Sequence, residues 1–116
     1  SSLALMGVKD RDCYTAAKGG VASMTRSMGL EFASMKVRVN AIAPSATQTP
    51  RVKKMIIENP AIAKLADSHL LGLALPVHIA DMAVYLASDL GACTTGEVIF
   101  VDGGFHVTGM AQPEHL

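Results

Sequence analysis

Apolar residues recur at helical spacing along the first third of the chain. From Cys13 to about Ala33 there is no proline, and Tyr14, Ala17, Val21, Met24 and Met28 return every three or four residues with Lys, Thr and Ser between them. That pattern predicts one long helix, which tolerates Gly19, Gly20 and Gly29. Residues Ser1 to Asp12 begin small and end in the charged run Lys9-Asp10-Arg11-Asp12, which suits a solvated loop after a buried strand, with Asp12 placed to cap the helix. Beyond the helix the period changes. Lys36 to Ala43 is short and β-branched and stops at Pro44, as expected of a strand covered on at least one face.

The next stretch, residues 45–75, is a helical excursion with no strand pattern. Thr47, Thr49 and Pro50 make a turn, Arg51 to Glu58 fits a short helix, and Pro60 fits the first turn of another. Pro76 opens a further helix in which Ile79, Met82, Ala83 and Leu86 form one apolar face, ending near Ser88-Asp89-Leu90-Gly91. Glu97 to Val101 reads as a second strand, closed by the turn-forming Asp102-Gly103-Gly104. The order helix, strand, helical excursion, helix, strand predicts an α/β chain forming half of a doubly wound parallel sheet, one unit over residues 1–116.

Composition narrows the function. Half of the 116 residues are hydrophobic and 17% are charged, which excludes a disordered tail. Ten basic and ten acidic residues balance, so no overall field draws nucleic acid or an anionic membrane. A small-molecule partner is favoured. The apolar stretch from Leu70 to Ala87 is interrupted by Pro76, His78 and Asp81, so no membrane span is expected. Cys13 and Cys93 lack CxxC or Cys/His spacing, which argues against zinc or a disulfide framework and fits a reducing cytoplasm. The chain begins at Ser1 without a basic region ahead of its apolar start, so no signal peptide is expected, and truncation of a longer protein is the simpler reading.

Tyr14 and Lys18 stand four residues apart on the predicted helix and so project from one face. A cation held beside a phenol favours the phenolate, and a tyrosine so placed exchanges a proton with a hydroxyl or carbonyl. Alone, the spacing is common by chance, and an aromatic beside a solvated lysine is the ordinary outcome. Its context is not ordinary. Tyr14-Thr-Ala-Ala-Lys18-Gly-Gly-Val21, then Val37-Arg-Val-Asn40-Ala-Ile-Ala-Pro44, closely resembles the active-site helix and following strand of the short-chain dehydrogenase/reductase family. Thr94-Thr-Gly96-Glu-Val-Ile-Phe-Val-Asp102-Gly-Gly104 resembles that family's last strand and its exit.

The resemblance covers nearly the whole chain and identifies it with the C-terminal half of such an enzyme. It implies a partial Rossmann fold, hydride transfer between NAD or NADP and an alcohol or carbonyl carbon, and Tyr14 as general acid/base. By the same match Lys18 holds the nicotinamide ribose hydroxyls. The family's serine falls on Ser1, thirteen residues before Tyr14, with Ser2 its close competitor. A hydroxyl there can donate to the substrate oxygen. Pro44-Ser-Ala-Thr47-Gln-Thr49-Pro50 resembles the segment beside the nicotinamide, with Thr47 offering backbone groups and Thr49 its hydroxyl to the carboxamide. Ser45 departs from the usual glycine. Asn40 matches a position with a structural role, and residues 45–75 match the substrate-covering loop.

Other candidates read more plainly. Arg51, Lys53 and Lys54 suit a solvated helix face. Met55, Ile56, Leu65, Leu70, Leu71 and Leu73 line a pocket or form core. His69, His78, His106 and His115 have no metal-ligating spacing and suit surface or cap roles, so no metal is expected. Cys13 has no histidine close in sequence to activate it and is expected to be buried.

Two functions compete. One is an NAD(P)-dependent oxidoreductase; the other is an inactive fragment or association module, because no GxxxGxG-type phosphate cradle occurs in the chain. Without such a cradle the 116-residue chain alone is expected to be inactive and to expose sheet edges and an apolar helix face. The resemblance also implies a homodimer or homotetramer for the intact protein.

Overall fold

The computed structural model describes residues 1–108. A short 3₁₀ turn, Ser2–Leu5, leads to the long helix α1, Asp12–Glu31. Then follow strand β1, Ala41–Pro44, helices α2, Pro50–Glu58, and α3, Pro60–Asp67, helix α4, Pro76–Ala87, and strand β2, Val98–Val101. The two strands pair in parallel, with Ala41 opposite Val98 and Pro44 opposite Val101, and the connection between them runs through α2, α3 and α4. This α/β arrangement is part of a Rossmann-type sheet.

Local chemistry fixes each helix start after the strand. Thr49 Oγ1 accepts from Val52 N at 3.3 Å, Asn59 Oδ1 accepts from Ala61 N at 3.0 Å, and Pro50 and Pro60 occupy the first helical positions that suit proline. Leu75 N donates to His78 Nδ1 at 3.1 Å, so His78 takes a capping role at α4. At α1 the expected cap is absent: Asp12 is the first helical residue, and Arg11 precedes it without a side-chain cap.

Strand β1 is shorter than its sequence pattern, 41–44 in place of 36–43. Lys36 takes a left-handed conformation, φ 61°, and the residues after it bond through side chains. Val39 N donates to Thr95 Oγ1, Asn40 Nδ2 donates to the Thr94 carbonyl, and Asn40 Oδ1 accepts from Glu97 N. Asn40 thereby pins the entry of β1 to the loop before β2. The ladder proper begins only where these side chains leave off.

The packed face of α1 is made of its small residues. Ala22, Thr25 and Gly29 are buried, whereas Val21 and Met24 are about half exposed. At 3.6 residues per turn these two stripes lie about 100° apart. Small residues win because α1 approaches the loop before β2 closely: a Cβ on Gly29 would fall 2.7 Å from Gly96 Cα. Cys13, on the opposite side of the helix from Ala22, is exposed and not buried as expected. Thr25 satisfies its buried hydroxyl by donating to the Val21 carbonyl at 2.8 Å.

The excursion closes on itself at its base. Thr47 bridges Ala74 in parallel, Gln48 N donates to the Ala74 carbonyl, and Gln48 Nε2 donates to the Leu73 carbonyl. Helices α2 and α3 therefore stand on a two-legged stem beside the end of β1. No described helix is long and apolar enough to cross a membrane.

Candidate active site

Residues from five separate stretches meet around one cavity of about 640 Å³: Ser1, Ser2 and Leu3 from the first turn, Arg11 from just before α1 with Tyr14 and Lys18 on it, Pro44, Ser45 and Ala46 from the end of β1, Leu65 from α3, and Phe105 from after β2. Tyr14 and Lys18 face it from successive turns of α1. The Lys18 ammonium lies over the Tyr14 ring, 5.6 Å from its centroid. Lys18 makes no ion pair among the described residues, and the Tyr14 hydroxyl has no hydrogen-bond partner among them. Both polar groups remain free to meet a ligand.

Ser1 Oγ accepts from Leu3 N at 3.2 Å, so it caps the short turn and keeps its own hydrogen to donate. Ser2, the competing serine, also lines the cavity and is fully buried.

Of the positions singled out after β1, Pro44 lies on the cavity and Thr47 and Thr49 are not among its lining residues. Thr47 Oγ1 donates to the Ser45 carbonyl at 3.1 Å. Thr49 Oγ1 serves as the cap of α2 and, as an acceptor there, retains its hydrogen. Of the six apolar loop residues, Leu65 reaches the cavity, while Leu70 and Leu71 are exposed. Lys54 pairs with Glu58 at 3.7 Å on the outer face of α2, where both side chains are solvated.

The histidines correct one expectation. His69 is a cap but not a surface residue: it is 4% exposed, its Nδ1 lies 3.1 Å and 3.2 Å from the Leu65 and Ala66 carbonyls in the last turn of α3, and its Nε2 lies 2.8 Å from Ser45 Oγ. Its ring stacks on Phe105, centroids 4.7 Å apart. Two of its partners, Ser45 and Phe105, are 24 and 36 residues away in sequence, so periodicity could not expose the burial. The one local sign was Ser45 standing where the resemblance has glycine. His106 packs on Phe100, centroids 3.9 Å apart, and its Nδ1 meets buried Asp102 at 2.8 Å. Asp102 also accepts from the backbone N–H groups of Gly104 and His106, locking the turn after β2. Gly103 and Gly104, at φ 61° and 83°, supply the left-handed conformations this turn needs. His115 lies outside the described residues.

The donor set suits the nicotinamide-ribose end of a dinucleotide: an unpaired ammonium and phenol face a cavity walled by Pro44. Among the described residues no cluster of three or more His, Cys, Asp or Glu could hold a metal ion.

Comparison with known proteins shows the family and the fold. Residues 1–106 match the family described as Enoyl-(Acyl carrier protein) reductase. Cis-4-hydroxycyclohexanecarboxylate dehydrogenase of Sinomonas cyclohexanicum is 37% identical over 106 residues, covering 90% of this chain and 42% of that one. The structure of a short-chain type dehydrogenase/reductase from Mycobacterium ulcerans superposes with a TM-score of 0.75 at 29% identity, covering 81% and 34% of the two chains. That of a 4-hydroxyisoleucine dehydrogenase complexed with NADH gives 0.82 at 30% identity, covering 90% and 44%. The chain thus spans about two fifths of the length of the relatives it matches.

Proposed function

Because this chain belongs to the short-chain dehydrogenase/reductase family, we propose that it supplies the catalytic part of an NAD(P)-dependent oxidoreductase acting on an alcohol or carbonyl substrate. The observation that carries the reading is the meeting of Tyr14, Lys18, Ser1 and Pro44 on one cavity. Tyr14 is the general acid/base: it takes the substrate hydroxyl proton during oxidation and returns one to the carbonyl oxygen during reduction. Ser1, with Ser2 as its alternative, donates to the same oxygen and stabilises charge developing there. Lys18 places positive charge beside the Tyr14 ring and donates to ribose hydroxyls.

NAD or NADP supplies the hydride acceptor or donor. Lys18, Pro44, Thr47 and Thr49 hold its nicotinamide-ribose end, the last two through backbone groups and the retained hydroxyl hydrogen. The complete protein works as a homodimer or homotetramer in the cytoplasm, with the exposed face of α1 at the contact.

Turnover by the complete protein tests the reading. Tyr14→Phe is expected to lower kcat by about 10²–10⁴-fold with cofactor binding retained; a Tyr14→Phe enzyme with wild-type kcat would refute it. A second reading, an association module without activity of its own, draws on the sparse apolar core of the described residues, in which only Ala22, Ala43 and Ala74 are buried hydrophobics. Absence of any nicotinamide-coupled turnover in the complete protein would favour it.

A further inference from the structure

The cavity wall away from α1 is held by a pair of side chains that the catalytic scheme does not use. His69 Nδ1 faces two carbonyl oxygens, which can only accept, so Nδ1 carries the ring hydrogen. In the neutral ring Nε2 is then an acceptor, and Ser45 must donate its single hydroxyl hydrogen to it across 2.8 Å. The Phe105 ring stacked on His69 blocks one face of the imidazole and keeps it in this plane. With its hydrogen committed, Ser45 Oγ has only lone pairs left, and no other donor among the described residues occupies them. Ser45 lines the same cavity as Tyr14 and Lys18.

We propose that His69 is a positioning residue that fixes Ser45 as a hydrogen-bond acceptor in the cavity, where it selects substrates carrying a second hydroxyl besides the one that reacts. The inference rests on the oxidoreductase reading above and adds its substrate class, a diol or hydroxylated ring. A neutral acceptor suits a neutral donor, and apolar Leu3, Leu65 and Phe105 suit the carbon skeleton around it. A site built to accept from a substrate hydroxyl discriminates against the analogue lacking it, because the site's own polar group is then left unpaired.

The test compares oxidation of vicinal cyclohexanediol and of cyclohexanol by the complete protein with its cofactor. Wild type is expected to favour the diol about tenfold in kcat/KM, the size of one good hydrogen bond. Ser45→Ala, which removes only the hydroxyl and leaves a residue close to the family's glycine, should erase that preference, the diol losing about tenfold more in kcat/KM than cyclohexanol. Ser45→Thr should keep it. His69→Phe should weaken diol selection as Ser45→Ala does, and in wild type the His69 Nε2 resonance should shift on adding the diol. An unchanged diol preference in Ser45→Ala, or an equal loss on both alcohols, would overturn the inference while leaving the Tyr14 reading intact. Inactivity of wild type toward both alcohols with cofactor bound would overturn both.

Discussion

Helix α1 and the excursion between β1 and α4 contribute to the same cavity by opposite means. On α1 the functional groups are neighbours in sequence: Tyr14 and Lys18 share a face because an α-helix returns every 3.6 residues, and the helix needs nothing distant to set their spacing. In the excursion the contributing groups are far apart. Ser45 meets His69 across 24 residues, and Thr47 meets Ala74 across 27, so their geometry exists only once the chain has closed on itself. Chemistry that depends on period is carried by the first region, and the shape of the cavity by the second.

Substitutions can break or sharpen that contrast. The largest effect is expected at α1, where Tyr14→Phe removes the proton-transfer group, and steady-state kinetics on the complete protein reads the loss. Next comes Gly29→Ala. Its new Cβ would press within 2.7 Å of the Gly96 backbone, so α1 must shift from the loop before β2. An overpacking cost of about 1–3 kcal/mol is expected in denaturant unfolding, and an unchanged midpoint would deny the close packing. In the excursion, Thr49→Ala removes the cap of α2 and should cost about 1 kcal/mol, read as faster amide exchange confined to residues 50–58. The smallest effect belongs to Lys54→Ala, whose partner Glu58 is as solvated as it is. A stability change within about 0.5 kcal/mol is expected from thermal unfolding.

The same contrast explains what the sequence revealed. The helices at Pro50, Pro60 and Pro76 were legible because proline at a turn or first helical position is a local signal. The turn at Asp102-Gly103-Gly104 was legible for the same reason, and the parallel pair from the order of the elements. The packed face of α1 was not legible, because its larger side chains, Val21 and Met24, form the more regular stripe, while packing chose the small residues that allow close approach. The extent of β1 was misread because Asn40 spends its side chain on bonds that a ladder would otherwise make. The burial of His69 could not be seen without Ser45 and Phe105, and Asp102 was seen as a turn residue without its role as a buried acceptor.

The central claim is that the Tyr14/Lys18 cavity receives a nicotinamide cofactor. Titrating NADH and NADPH into the complete protein, followed by nicotinamide fluorescence, tests it most directly when wild type is set against Lys18→Ala and Tyr14→Phe. The account predicts saturable binding of one cofactor, weakened about tenfold or more by Lys18→Ala as a charge-assisted hydrogen bond is lost, and little changed by Tyr14→Phe. Equal affinity in wild type and Lys18→Ala, or no saturable binding of either cofactor, would contradict it.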